Sequence, residues 1–274
     1  MKQVKGLQVL ERRDFERHCP SFYAERPKSN LTDRYTFLNS RDIAVQLWEN
    51  GWLPTFAREQ RSNKPTNRGF NKHLVRFSHP DFKTVDGDRI ELVSVNSHNG
   101  VSAYQFYCGV FRLVCTNGLI VQTSNLGSFR VIHKGDIIEQ VQTAIDGISS
   151  NAKMVAGSIE DMKAIELTPD ERGVFASVAH EYVYGQETDE DYNPPIRPDR
   201  LLTTRRHIDS NKNDLWTTYN TVQENLLKGG LRGYNRQRRR RATTRRITSI
   251  TKDIKLNKAL WTLAERLKDH KKAA

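Results

Sequence analysis

GDIIEQVQTAIDGISSNAKMVAGSIEDM, residues 135–162, is the stretch on which the architecture turns. Its apolar positions are Ile138, Val141, Ile145, Ile148, Ala152, Val155, Ile159 and Met162, at gaps of 3, 4, 3, 4, 3, 4 and 3. That alternation brings an apolar group back to one side of an α-helix for about seven turns. Gly147 and Gly157 weaken the helix by roughly 1 kcal/mol each relative to Ala. The spacing predicts one long helix laid along a sheet. The other use of the same seam is self-association, giving a homo-oligomer through residues 138–162. The small Ala152 and the two glycines favour close packing over a free coiled coil.

Upstream of this helix the period changes to that of strands. Trp52–Arg58, His73–His79, Ile90–Val95, Ala103–Cys115, Leu119–Thr123 and Phe129–His133 are rich in Val, Ile, Phe and Tyr. Asp86-Gly87-Asp88, Asn99-Gly100 and Asn117-Gly118 separate them, and Asn-Gly between apolar runs is a strong hairpin signal. An antiparallel sheet is expected. Before it, Ser40 is read as the cap of a short helix with Ile43, Leu47 and Trp48 on one face and Gly51 as its stop.

Downstream, Thr168-Pro169-Asp170-Glu171 opens a helix to about Tyr184, with Val174, Val178 and Tyr182 as its apolar face. Leu215, Tyr219, Val222 and Leu226 mark another, ending at Gly229-Gly230. Leu256, Leu260, Leu263 and Leu267 mark the last. Strands first and helices second make an α+β fold. The expected organisation is a core domain at 1–185, containing the sheet and the 135–165 helix. An acidic, proline-containing linker follows at 186–200, then a helical region at 201–274 with an arginine-rich segment at 228–252.

The 274 residues carry a net charge of +12, and its location matters more than its size. Lys228, Arg232, Arg236, Arg238, Arg239, Arg240, Arg241, Arg245, Arg246 and Lys252 lie in one acid-free segment that holds +10 of it. Arg outnumbers Lys there, and a guanidinium binds phosphate in bidentate fashion and stacks on bases. Glycines and like-charge repulsion argue for a flexible run that orders on an anion. Tyr234 is available for stacking. Arg58, Arg61, Lys64, Arg68 and Lys72 form a second basic stretch, read as a loop or long hairpin tip from Pro65, Gly69 and its asparagines. The acidic block Glu187, Asp189, Glu190 and Asp191 is a candidate to fold back onto the arginines.

Several classes fall away. No run of 18 apolar residues is present to span a bilayer, so no membrane partner is expected. The first twenty residues lack the apolar stretch of a signal peptide. Cys19, Cys108 and Cys115 are too few for a disulfide scaffold, which points to a reduced, cytoplasmic setting. There is no Cys-x-x-Cys, no His-Glu-x-x-His and no phosphate-binding Gly-x4-Gly-Lys-Ser/Thr loop, so no metal or other cofactor is expected. His98 with Cys115 lacks an orienting third group and is read as a turn histidine and a core thiol. Asp86, Asp88 and Glu91 resemble the acids of a metal-dependent nuclease, but Val93 stands where such a site would carry lysine. No catalytic residue is assigned, and a binding protein is expected rather than an enzyme, with a metal-dependent nuclease using Asp88 and Glu91 as the lesser alternative.

Four stretches carry a resemblance. They are Val95-Asn96-Ser97-His98-Asn99-Gly100-Val101-Ser102-Ala103-Tyr104-Gln105, the run from Gly109 to Leu119, the run from Asp214 to Gly230, and Lys255-Leu256-Asn257-Lys258-Ala259-Leu260-Trp261. Together they resemble the YafZ/YfjQ-like proteins, the domain of unknown function 932 family, from about Arg34 to Leu267. The resemblance implies a bacteriophage, prophage or plasmid origin and a bacterial cytoplasm. The family motif has Asp after the histidine where this chain has Asn99. Both make good turns before Gly, which favours a turn role over a chemical one.

The resulting expectation is a mobile-element protein that binds DNA, single-stranded DNA above all, and acts in recombination by single-strand annealing. Rad52-like and Redβ-like proteins share its order of hairpins, long helix and basic segments and use no ATP. The alternative is an anti-defence or host-modulating protein whose arginines grip an acidic host protein.

Overall fold

The computed structural model describes residues 1–29, 31, 35, 37–83, 88–111, 118–121, 129–131, 137–186, 188–190, 192–235 and 239–273. Two compact units divide the chain, Met1–Ala156 and Gly157–Ala274. The acidic stretch 186–200 falls inside the second.

The first unit opens with a hairpin, β1 (Lys2–Val4) and β2 (Leu7–Val9). Its turn is Lys5-Gly6, both at positive φ. Helix α1 (Arg12–His18) follows, then α2 (Ser40–Glu49). Asn39, not Ser40, caps α2: its side-chain oxygen accepts the Arg41 N–H at 2.9 Å. Ser40 becomes the first helical residue and turns its hydroxyl inward. Ile43 and Leu47 are buried as expected. Trp48, about 100° further round the helix, is 49% exposed instead. Gly51 ends the helix at φ +81°, as the sequence required.

The sheet comprises β3 (Leu53–Glu59), β4 (His73–Lys83), β5 (Arg89–Asn96), β6 (Tyr104–Phe111), β7 (Gly118–Val121) and β8 (Phe129–Val131). All pairings are antiparallel, in the order β3-β4-β5-β6-β7. β8 shares the outer side of β6, pairing Tyr104–Phe106 where β7 pairs Cys108–Phe111. Asp86, Gly87, Cys115 and Asn117, named above as turn or site residues, lie outside the described residues.

β5 is buried on both faces. Burial brings Glu91 into the core, where Arg76 sits 3.4 Å away and Ser78 donates at 2.9 Å. The Arg76 guanidinium also covers the Phe56 ring at 4.3 Å. Burial pushes the Glu91 carboxyl up, and Arg76 opposes the shift. Glu91 is thereby committed to its own sheet. Among the described residues no group of three His, Cys, Asp or Glu is placed to hold a metal ion.

Helix α3 (Ile137–Ala164) is continuous, as its seam predicts. Val141, Ile145, Ile148, Ala152, Val155, Ile159 and Met162 are all at most 3% exposed. Ile138's side chain is outside the described ones. The seam is buried within this chain. Gly147 acquires a reason. A Cβ there would stand 2.1 Å from the Phe129 ring, so the missing side chain admits β8's phenylalanine to the helix surface.

In the second unit, α4 (Pro169–Tyr184) begins with the predicted reciprocal cap. The Glu171 N–H donates to Thr168 Oγ1 at 3.2 Å, and the Thr168 N–H to Glu171 Oε2 at 2.8 Å. The buried face differs from expectation. Phe175, Ala176, Ala179 and His180 point inward, and Val174, Val178 and Tyr182 are exposed. Two alanines let a neighbouring helix approach closely, whereas β-branched valines hold it off.

Helix α5 (Leu215–Lys228) lies at the centre, every residue from Leu215 to Leu226 buried. Trp216 stacks on Tyr219, and Trp261 meets both edge-on at 6.5 and 6.1 Å. The hairpin β9 (Arg232–Asn235) and β10 (Arg240–Thr243) follows, then α6 (Ile250–Ala273). On α6 Leu256 and Leu260 are buried as expected, but Leu263 and Leu267 are only half-buried. The deep stripe is Ile250, Ile254, Asn257, Trp261, Ala264 and Lys268, with two polar members. Asn257 accepts from Gln223 Nε2 at 2.9 Å, and Lys268 reaches Ser158 and Glu265, both at 2.9 Å. No helix among the described residues is long and apolar enough to cross a membrane.

Two outcomes check this packing by urea denaturation. Gly147→Ala, which in an open helix adds about 1 kcal/mol, is expected to destabilise by about 1–3 kcal/mol here. Gly147→Ala with Phe129→Leu recovers most of the loss. Unchanged stability of the single variant contradicts the contact. Arg76→Met leaves a buried carboxylate without its counter-charge and is expected to cost about 3–5 kcal/mol, which Arg76→Met with Glu91→Gln largely restores. Equal losses in both refute the pairing.

Candidate nucleic-acid interface

The arginine segment is built on the end of α5. Three consecutive polar residues, Gln223-Glu224-Asn225, are buried there, and each finds partners. Glu224 takes Arg206 and, at 2.7 Å, Lys228. Asn225 donates to the carbonyls of Leu201 and Thr203, both at 2.8 Å, and accepts from Arg205 at 2.7 Å. Arg205 also donates to the Gly229 carbonyl. Lys228 therefore spends its charge at home.

Gly229 caps α5 at φ +61°, and a Cβ there would strike the backbone of Thr244 and Arg245 at 2.5–2.8 Å. The Gly230 N–H donates to the Thr244 carbonyl at 2.8 Å. Thr244 N–H gives to Leu231 O, and Leu231 N–H gives to Thr244 Oγ1, both at 3.0 Å. The described residues of the segment thus pair as a β-hairpin, where like-charge repulsion predicted a run without regular structure. Burial and backbone pairing at its base outweigh exposed repulsion, which solvent screens.

Register sorts its side chains. Arg241 opposes Tyr234 and Thr243 opposes Arg232; Arg240 opposes Asn235 and Ala242 opposes Gly233. The second set faces the chain. A Cβ on Gly233 would meet the Pro195 carbonyl at 1.9 Å, and Asn193 donates to Asn235 at 3.2 Å. The first set faces away, presenting Arg232, Tyr234 and Arg241 together, with Tyr234 51% exposed. Arg239, Arg240, Arg245, Arg246 and Lys252 are exposed too. Among the described residues no carboxylate pairs with any of these arginines. Arg236 and Arg238 lie outside the described residues.

Residues 193–196, just past the acidic block, do pack on the hairpin, through backbone and amide contacts. Asp189 itself accepts the Gln186 N–H at 2.8 Å, and Glu187 and Asp191 are outside the described residues. The contact on Gly233 was not legible in the sequence, since a lone glycine between Arg and Tyr reads only as a break. The Arg205, Arg206 and Glu224 set was missed as well. Its one signal was Gln-Glu-Asn inside an apolar stripe.

The second basic stretch belongs to the first unit. Arg58 is in β3, and the remainder is the loop from β3 to β4, as expected, with a single helical turn at Pro65–Asn67. Arg61, Lys64 and Arg68 are exposed, while Arg58 and Lys72 are half-buried. Burial holds the Lys72 amine below its ordinary value.

The Asn96–Gly100 signature forms a closed polar cluster in that unit. Ser40 Oγ lies 2.9 Å from His73 Nε2, 3.4 Å from His98 Nε2, and 3.2 Å from the donating Asn96 Nδ2. His73 Nδ1 is 3.1 Å from the Asn71 carbonyl. This outlines a serine beside a base, but burial pushes the His73 imidazole down to about 4, a poor base, and Ser40 is wholly enclosed. Asn99 Oδ1 accepts the Val101 N–H at 3.3 Å beside Gly100 at φ +77°, a turn role. The cluster ties α2 to β4 and β5. Its pH response follows. The unfolded chain binds a proton at His73 near pH 6.5 and the folded chain near 4, so stability falls as pH drops through that window. Between pH 7 and 5 the loss from this group is about 2 kcal/mol, and His73→Gln should flatten the urea-measured pH dependence by that amount. Identical pH slopes in both proteins would remove His73 as the cause.

Residues 28–261 match the family described as "Domain of unknown function (DUF932)". Two proteins of Escherichia coli (strain K12), "UPF0380 protein YfjQ" and "UPF0380 protein YafZ", are each 35% identical over 265 residues, covering 96% of this chain and 93% of theirs. No solved structure matches. With the match running through the buried Asn-Ser-His cluster, α5 and the start of α6, the chain belongs to the DUF932 family.

Proposed function

We propose that this chain is a nucleic-acid-binding protein that holds single-stranded DNA on the outer face of the β9–β10 hairpin. The observation that carries the reading is that face: Tyr234 between Arg232 and Arg241, exposed, with no described carboxylate to neutralise them. Guanidiniums track phosphates, and an exposed ring stacks on a base of any identity, so the surface suits a strand without fixing its sequence. A hairpin already ordered by its base loses little freedom on binding. The setting we favour is a mobile element in the bacterial cytoplasm. The use we favour is pairing of complementary strands in recombination, which calls for no nucleotide hydrolysis.

A second reading is a host-modulating interaction protein, with the arginines gripping an acidic protein. The exposed stripe Val174, Val178 and Tyr182 on α4 is the observation in its favour.

Fluorescence anisotropy with a labelled single-stranded oligonucleotide tests the first reading. Each phosphate contact contributes about −0.7 to the slope of log K against log salt. Arg232→Gln with Arg241→Gln should make that slope shallower by about 1.4. Tyr234→Ala should weaken binding about tenfold, as loss of one stacked base does. No affinity for any nucleic acid at low salt would sink the reading. A host protein retained by the wild type and lost with Arg240→Ala and Arg241→Ala would then support the second.

A further inference from the structure

The inner side of the hairpin is not filled by the segment it rests on. Between β10, the end of α4 and residues 193–195 lies an open cleft of about 530 Å³. We propose that this cleft is a second site, which seats one nucleotide bearing a terminal phosphate monoester. It rests on the nucleic-acid reading above and adds an end-specific contact to it.

The chemistry of the walls carries the assignment. The apolar lining is Val183, Leu226 and Ile247. Tyr184 adds an aromatic ring, half-buried and packed on His180 at 4.8 Å. Asn193 and Asn235 add two amides, joined to each other at 3.2 Å, that make this wall polar. Arg240, Arg241 and Arg245 supply three cations, and no described carboxylate pairs with any of them. An apolar floor, a ring, amides and guanidiniums together match a base joined to a phosphate, more than they match a simple anion.

Size and charge select the end of a strand. The volume is that of a pocket for one small ligand, not a groove for several nucleotides. A monoester carries about −1.5 to −2 at neutral pH, against −1 for a diester within a chain, so paired arginines favour a phosphorylated end. The wall is also held in place. His180 Nε2 donates to the Ile196 carbonyl at 2.9 Å, and burial lowers the pKa of its ring. Gly233 fixes the hairpin against Pro195 from the other side.

Free nucleotide and strand end share this chemistry, and the arms of one experiment separate them. The full chain is titrated by anisotropy with an oligonucleotide carrying a 5′-phosphate, one carrying a 3′-phosphate and one with hydroxyls at both ends. It is titrated by calorimetry with thymidine monophosphate and with inorganic phosphate. Arg240→Gln with Arg245→Gln removes two of the three cations and leaves Arg241, which the outer face also uses. Both replaced residues are exposed, and an unchanged melting temperature verifies the fold. Expected is about a tenfold preference for one phosphorylated end, lost in this double variant and kept in Tyr234→Ala. Thymidine monophosphate binding that inorganic phosphate does not match, without an end preference, assigns the same cleft to the free nucleotide. Equal binding of all three oligonucleotides with no monophosphate binding overturns the cleft while leaving the outer face standing. No binding of any oligonucleotide overturns the parent reading instead.

Discussion

Adjacent polar residues sealed inside a unit press for partners there, because an orphaned buried donor or acceptor costs about 1–3 kcal/mol. That constraint governs the second unit. α5 places Gln223, Glu224 and Asn225 in the interior, so the structure around it has to deliver partners at fixed points. Gln223 demands Asn257 of α6, Glu224 demands Arg206 and Lys228, and Asn225 demands the 201–205 segment. One of those partners, Arg205, also holds the Gly229 carbonyl at the foot of the hairpin. The exposed arginines owe their placement to hydrogen bonds they do not themselves make.

The division of labour between the two hairpin faces follows from the two-residue period of a strand. Every second side chain faces the chain, and there small or neutral residues stand: Gly233, Asn235 and Ala242. The alternate positions carry charge and the tyrosine. Arg240 is the exception, a cation on the inward side, and it lies where the chain leaves a cleft.

Much of the fold was legible because it rests on local periodicity. The α3 seam, the Thr168–Glu171 cap and the six strand cores each depend on residues close in sequence. What escaped depends on what arrives from elsewhere. Val174, Val178 and Tyr182 form as good an apolar stripe as Phe175, Ala176 and Ala179, and only the closeness of packing decides which is buried. Ser40 and Asn39 are equally fit to cap α2, and His73, thirty-three residues on, draws Ser40 inward. The arginine cluster was visible as charge, but its strand register was not. Register is set by Gly229 and Thr244 at its base.

The stripe of α6 has a consequence of its own. A helix buried on leucines alone can slide one heptad and find its new neighbours nearly as good as the old. Asn257 forbids this. Moved by seven residues, the place opposite Gln223 would hold Ala264 or Ile250, and a buried amide would lose its partner. Lys268, 11 residues further along, would likewise lose Ser158 of α3, while Glu265, on the same helix, would travel with it. Two polar residues a few turns apart thus act as a pair of locating pins. They contribute little to the depth of the energy well and much to there being only one, as a single buried asparagine does in a coiled coil.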